Sequence, residues 1–261
     1  GLKRKYGQTI ERILETAVEC RQRLEQLERS EAELARLDAE KQRLEEWLWQ
    51  ESLQLSAKRK RLLPKLASRV SKELADLGFR QSRFEIAMES LERTAAASIG
   101  PSDRGARPSA SGIDRVEFMF APNPGEPARR LRAIASSGEM ARVMLALKTV
   151  LAAHDEIAVM VFDEVDAGIG GETAHAVGQK LREIARHRQV LCITHLPQVA
   201  AAATAHFVVE KEMRAGRTVS TLRRLGPDEQ LTELARMLGG QTEAARQHAA
   251  ALLRNRKAGS S

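Results

Sequence analysis

Val159-Met160-Val161-Phe162-Asp163-Glu164-Val165-Asp166 is the stretch whose reading decides the fold. The apolar run Ile157–Phe162 has the character of a strand buried on both faces, as strands of parallel sheets are. It ends at two adjacent carboxylates, Asp163 and Glu164. In open α/β sheets, ligands bind outside the carboxyl ends of the strands. Asp163 is therefore a candidate Mg²⁺ residue, and Glu164 a candidate for orienting an attacking water. Neighbouring carboxylates repel unless a cation or ligand offsets them. The plainer alternative is a pair of surface acids just past a strand end.

Downstream lies Asp166-Ala167-Gly168-Ile169-Gly170-Gly171, whose three glycines permit a tight turn and close approach to another surface. An ordinary strand-to-helix turn accounts for one such glycine more readily than for three. A second apolar run, Val190-Leu191-Cys192-Ile193-Thr194, closes on His195, a candidate donor to a γ-phosphate or else a structural histidine before Pro197. Upstream, Ser136-Ser137-Gly138-Glu139 opens a predicted helix over Gly138–Ala153. Free N–H groups and the positive dipole end suit a phosphate there, although Ser136 or Ser137 as a cap followed by Glu139 also reads as an ordinary helix start. Twenty-four positions separate Glu139 from Asp163, and 32 separate Asp163 from His195. Each gap accommodates one helix and one strand, so all of these features can reach one edge of one sheet. No Gly-x-x-x-x-Gly-Lys-Ser/Thr phosphate loop occurs, and no Gly-Lys pair at all. The residues for activating water are present without the loop that would hold the phosphates.

Around this centre the pattern predicts a mainly parallel α/β domain over 81–261 with flanking helices. Strands are expected at Phe84–Met88, Val116–Phe120, Ile157–Phe162 and Val190–Thr194, helices at Glu172–Arg186, Leu231–Leu238 and Thr242–Arg254, and a hairpin at Phe207–Lys211 and Thr218–Arg223. Residues 98–112, rich in Pro, Ser, Gly and Arg, are expected to form a mobile loop. Residues 1–80 read as a coiled-coil arm. Leu24, Leu27, Leu34, Leu37, Leu44, Leu48, Leu55, Leu62 and Leu66 recur at steps mostly of three, four or seven, a stripe that needs a second helix. Pro64 lies inside the pattern, and a kink or break is expected near Leu63.

Composition narrows the classes. The 261 residues allow one or two domains, and Cys20 and Cys192 exclude a disulfide framework. Aromatics make up 3%, which argues against a single-strand binder built on base stacking. No apolar run is long enough for a membrane span and no signal core opens the chain, so a cytoplasmic protein is expected. A first residue other than Met suggests a piece of something longer. The net charge of +7 permits contact with nucleic acid, for which Lys3-Arg4-Lys5 and Lys58-Arg59-Lys60-Arg61 are the candidate clusters, although a charge run on a long helix is more often a solvated face.

Taken together, these motifs resemble the C-terminal half of an ABC-type ATPase head of the SMC kind, and within it the RecN family of bacterial DNA repair proteins. Ala135–Glu139 resembles the family's signature motif, Val161–Gly171 its Walker B and D-loop, and Ile193–Ala200 its switch-histidine segment. Lys3–Gly7 and Asn123–Pro127 match it too. The resemblance implies ATP and Mg²⁺ as cofactors, with Glu164 as hydrolytic base, Asp163 as Mg²⁺ residue and His195 as γ-phosphate sensor. It implies that Ser136, Gly138 and Glu139 contact ATP held by a second head, as in a homodimer, with Asp166 at that interface. It further implies an N-terminal lobe carrying the Walker A loop, an antiparallel coiled-coil helix, and action on DNA ends in double-strand break repair and recombination at the nucleoid. Ser137 departs from the family's usual glycine. On this reading the chain alone hydrolyses no ATP. The competing reading is a non-enzymatic coiled-coil interaction protein with a vestigial ATPase lobe.

Overall fold

A computed structural model describes residues 9–92, 107–134, 136–214 and 217–258. The chain divides into two compact units, one drawn from Gly1–Arg59 and Ser90–Arg115, the other from Lys60–Glu89 and Val116–Ser261. Lys3–Gly7, Ala135, Ala215-Gly216 and most of the expected loop at 98–112 lie outside the described residues.

Helix α1 spans Ile10–Asp76, 67 residues, and passes through Pro64 without the break that the proline suggests. Proline removes one helical hydrogen bond. Tertiary packing just beyond it outweighs that loss, because Val70, Leu74 and Leu77 are fully buried in the core. Towards the other end, Leu24, Leu27, Leu34, Leu37, Leu44 and Leu48 are all exposed, so the heptad stripe has no partner among the described residues.

In the first unit a small polar knot fastens the chain before β2 (Asp114–Ala121) to α1. Asp114, its side chain fully buried, accepts from Arg59 Nη1 at 3.0 Å and from Ser90 Oγ at 2.8 Å. Arg59 also donates to the Ser111 carbonyl at 2.9 Å. Arg59, one of the basic residues considered for phosphate contact, is thus engaged within its own unit. Burial works against the charge on Asp114, but hydrogen bonds from Ser56, Arg59 and Ser90 hold the carboxyl below its ordinary range. A depressed folded value means stability that is present above the unfolded carboxylate's value and lost as pH falls through the folded one. We expect acid to loosen this knot: the protection of the Gly112 amide, whose N–H bonds the Ser109 carbonyl at 2.9 Å, should fall relative to its intrinsic exchange rate below about pH 4. Asp114→Asn should flatten that dependence.

The second unit is built on one main core and a smaller cluster near its C-terminal end. Val70, Leu74, Leu77, Phe84, Phe120, Val143, Leu147, Phe162, Val177 and Ile184 belong to the main core. β1 (Arg83–Ser90), β2 and β3 (Arg129–Arg130) form one sheet in that order, with β2 and β3 antiparallel. Helix α2 (Ser137–Leu151) leads to β4 (Val159–Phe162), α3 (Gly171–Ala185) and β5 (Gln189–Cys192). β4 and β5 pair in parallel, Phe162 opposite Cys192. Lys180 on α3 ties back to Glu73 and Asp76 of α1 at 2.5 and 3.1 Å. The loop feeding β4 is pinned by Arg188, which donates to the carbonyls of Asp155 and Ile157, each at 2.9 Å, and to that of Ala152. After the short helix α4 (Pro197–Ala200) come the hairpin β6 (Phe207–Arg214) and β7 (Arg217–Arg224), then α5 (Pro227–Met237) and α6 (Glu243–Ala258). These last two helices pack together through Leu234, Ala235, Ala245 and Ala249.

Two details depart from the sequence reading. Among the strand pairs whose register is described, β4–β5 is parallel, whereas β2–β3 and β6–β7 are antiparallel. Only that pair is joined through a helix, as parallel neighbours require, whereas the hairpin's short connection imposes antiparallel pairing. The β4–β5 sheet is also buried on one face only. Met160 and Phe162 point into the core, while Val161 is 65% and Ile193 62% exposed. Phe207, Val209, Met213 and Leu222, which share one face of the hairpin by register, are exposed as well. Contiguous apolar faces of this kind drive association. The isolated chain is expected to self-associate, so its light-scattering mass should rise with concentration; a monodisperse monomer would contradict this.

Candidate functional site

β4 delivers Asp163 and Glu164 to the carboxyl end of the parallel pair, where both side chains are exposed. Glu164 has φ +55°, the only non-glycine among the described residues with a positive φ. A side chain in the left-handed region costs about 1–2 kcal/mol. Such outliers persist where their surroundings over-determine them. Here Val165 and Asp166, immediately following, are buried at 0% and 1% exposure. The turn is closed by Glu164 N–H donating to Asp163 Oδ1 at 2.9 Å and Ala167 N–H to the Glu164 carbonyl at 3.1 Å.

Asp166 reaches across to the end of β5. Its Oδ2 accepts from Thr194 Oγ1 at 2.5 Å, His195 N–H at 3.1 Å and Leu196 N–H at 3.3 Å. His195 Nδ1 lies 3.4 Å from the same oxygen, and the imidazole is 70% exposed. Its carboxylate is enclosed within this lobe, because the backbone amides and hydroxyl of the 194–196 turn converge on it.

The start of α2 meets the same loop. Ser136 caps the helix, its Oγ accepting from Glu139 N–H at 3.3 Å, and Ser137 is exposed. Gly138 is buried against the loop: a Cβ there would sit 3.0 Å from Ala167 Cβ, 3.2 Å from the Ala167 carbonyl oxygen and 3.4 Å from that of Glu164. Arg142, one turn on, donates to the Ala167 carbonyl at 2.8 Å and lies 5.0 Å over the Phe79 ring. Burial lowers the guanidinium's pKa, opposed by the charge of Glu139. The three motif segments therefore converge on residues 164–167, as the spacing suggested.

No protein-family model matches the chain. Among curated proteins it is 40% identical over 256 residues to the DNA repair protein RecN of Treponema pallidum (strain Nichols), covering 97% of this chain and 43% of that protein. The chain belongs to the RecN family. RecN of Mycobacterium leprae (strain TN) is 42% identical over 261 residues, covering 97% of this chain and 44% of the relative. The chain thus spans less than half the length of the curated relatives it matches, and corresponds to their C-terminal half. The crystal structure of the Smc head domain with a coiled coil and joint from Pyrococcus yayanosii aligns with a TM-score of 0.50 at 24% identity, over 87% of this chain and 39% of that one. That likeness concerns the fold alone: an α/β lobe preceded by a long helix.

Within this RecN lobe, Asp163 offers one exposed carboxylate, and no group of three or more His, Cys, Asp or Glu able to hold a metal occurs among the described residues. That donor set fits Mg²⁺, which is bound through one or two carboxylates together with substrate phosphates and water, and does not fit a closed protein cage. When bound, the cation would supply charge neutralisation at the phosphates. Cys192 lies next to this centre, but burial, then the charges of Asp166 and Asp163, push its thiol up to about 12, so it stays protonated and unreactive. Among the described residues no helix is long and apolar enough to cross a membrane.

The sequence reading passed over two residues that build the site. Thr194 reads only as the end of the run that closes on His195, yet its hydroxyl makes the shortest bond to Asp166. Arg142 carried no signal, since an arginine among the apolar positions of α2 reads as a surface residue until the fold buries it.

Proposed function

We propose that this chain is the C-terminal part of a RecN-type SMC ATPase whose heads are joined by ATP and released by its hydrolysis, in DNA double-strand break repair and recombination. One observation carries the reading: Gly138, Glu164 and His195 are held around the single loop 164–167. In this reading Glu164 acts as base toward water, Asp163 holds Mg²⁺, and His195 contacts the γ-phosphate of a nucleotide held by an N-terminal Walker A lobe of the same head. Ser136, Gly138 and Glu139 face ATP carried by a second head. The exposed faces of β4–β5 and of the hairpin suit an N-terminal lobe, and the leucine stripe of α1 suits an antiparallel helix. DNA is the partner of the assembled protein. The arm over 1–80 and the lobe over 81–261 then divide tethering from chemistry.

The test is complementation. The chain alone should show no ATP turnover. Co-expression with a lobe carrying the phosphate loop and an outgoing coil helix should restore turnover and ATP-dependent dimerisation. A soluble, assembled pair that neither hydrolyses ATP nor dimerises with it would overturn the proposal.

A further inference from the structure

Asp166 is a buried carboxylate whose hydrogen-bond partners are backbone amides and a hydroxyl, and among the described ion pairs the imidazole of His195 is the one side chain set beside it. Its side chain is 2% exposed. A carboxylate in that setting is strongly attractive to an N–H, because water cannot screen it. The nearest ring nitrogen is Nδ1 of His195, at 3.4 Å. An imidazole exposed to solvent on most of its surface would otherwise sample rotamers and both neutral tautomers.

We propose that Asp166 is the positioning residue of His195: it shapes the 194–196 turn, keeps the ring proton on Nδ1, and so leaves Nε2 as the nitrogen available to a ligand. The partner of one ring nitrogen sets the state of the other. The turn is reinforced from the same side, since Leu196 N–H also donates to Thr194 Oγ1 at 3.0 Å and Pro197, at the start of α4, is buried. Loop and turn thereby share one buried anchor. Displacement of the loop that carries Glu164 is transmitted to the histidine through Asp166. The inference deepens the reading of His195 as the γ-phosphate contact and rests on it for its functional meaning, but its structural content is testable without nucleotide.

The experiment is ¹⁵N NMR of the histidine rings in this chain, recorded about two pH units above the ordinary imidazole value of about 6.5, with His195 assigned by its loss in His195→Gln. The expected result is Nδ1 protonated and Nε2 bare for His195. Asp166→Asn, which keeps an acceptor oxygen but removes the charge, should shift the ring towards the Nε2–H form. A His195 ring found as Nε2–H in the parent chain overturns the proposal even if the variant fails to fold. An unchanged tautomer in a folded Asp166→Asn chain overturns it too. A correct tautomer with no turnover in the complemented head would sink the ATPase reading and leave the positioning role. Turnover with an Nε2–H ring would do the reverse.

Discussion

In a head completed by a Walker A lobe, Glu164→Gln is expected to lower ATP turnover by about 10²–10⁴-fold, the usual loss when a positioned base is removed. ATP-held pairing of heads should persist or strengthen, because the amide keeps the shape of the side chain while losing its basicity. The prediction rests on the place of Glu164 at the carboxyl end of β4, exposed beside Asp163, and on its backbone at φ +55°. A strained backbone under an exposed acid has no stabilising purpose that the packing reveals, and strain of this kind clusters where function requires it. Glu164→Gly supplies the complementary measurement. Glycine adopts this φ freely, so the variant should gain up to about 1 kcal/mol in thermal or chemical unfolding while turnover is lost. A Glu164→Gln head that hydrolyses ATP at the parental rate would remove Glu164 from the chemistry. A Glu164→Gly chain less stable than the parent would show that the carboxylate contributes to the fold.

How much of this was legible beforehand depended on whether a feature is local. The carboxylates after Phe162, the helix start at Ser136 and the 24- and 32-residue spacings are properties of consecutive residues, and the β4–α3–β5 unit followed from them. Burial is not local. Val161 and Ile193 belong to runs that read as buried on both faces, yet a run of apolar residues records only that a covering surface suits it, not that the same chain supplies one. The continuity of α1 through Pro64 was not legible for a similar reason, since the packing that keeps α1 helical involves Val70, Leu74 and Leu77 and elements far along the chain. Asp166 shows the limit most clearly. Its position after Asp-Glu marked it as a site residue, but which surface its carboxylate faces was decided by Thr194, 28 positions away. Arg142 is the same case without even the local mark.

Gly138→Val is expected to destabilise the isolated chain by about 1–3 kcal/mol, the cost of adding bulk to a packed contact. It should also reduce turnover in the completed head. Nothing in the backbone demands glycine at this position, because it lies within α2 and is absent from the positive-φ residues. The demand comes from space. The first added carbon would stand 3.0 Å from Ala167 Cβ and 3.2 Å from the Ala167 carbonyl oxygen, and both belong to the loop rather than to the end of a flexible side chain. The loop must therefore move. Moving it lengthens the bond from Arg142 to the Ala167 carbonyl and shifts Asp166, on which the turn at His195 depends. Gly138→Ala should be milder, because the better helix propensity of alanine, worth up to about 1 kcal/mol, offsets part of the crowding. This separates two reasons for a glycine at position 138. If it serves only to let a nucleotide on a second head approach, Gly138→Val leaves the melting temperature of the isolated chain unchanged and abolishes ATP-held dimers alone. If it serves the contact with Ala167, the melting temperature falls with no nucleotide present, and the His195 ring signals move with it. The distances favour the second outcome, in which the start of α2 and the turn at His195 are coupled through the packing of one small loop.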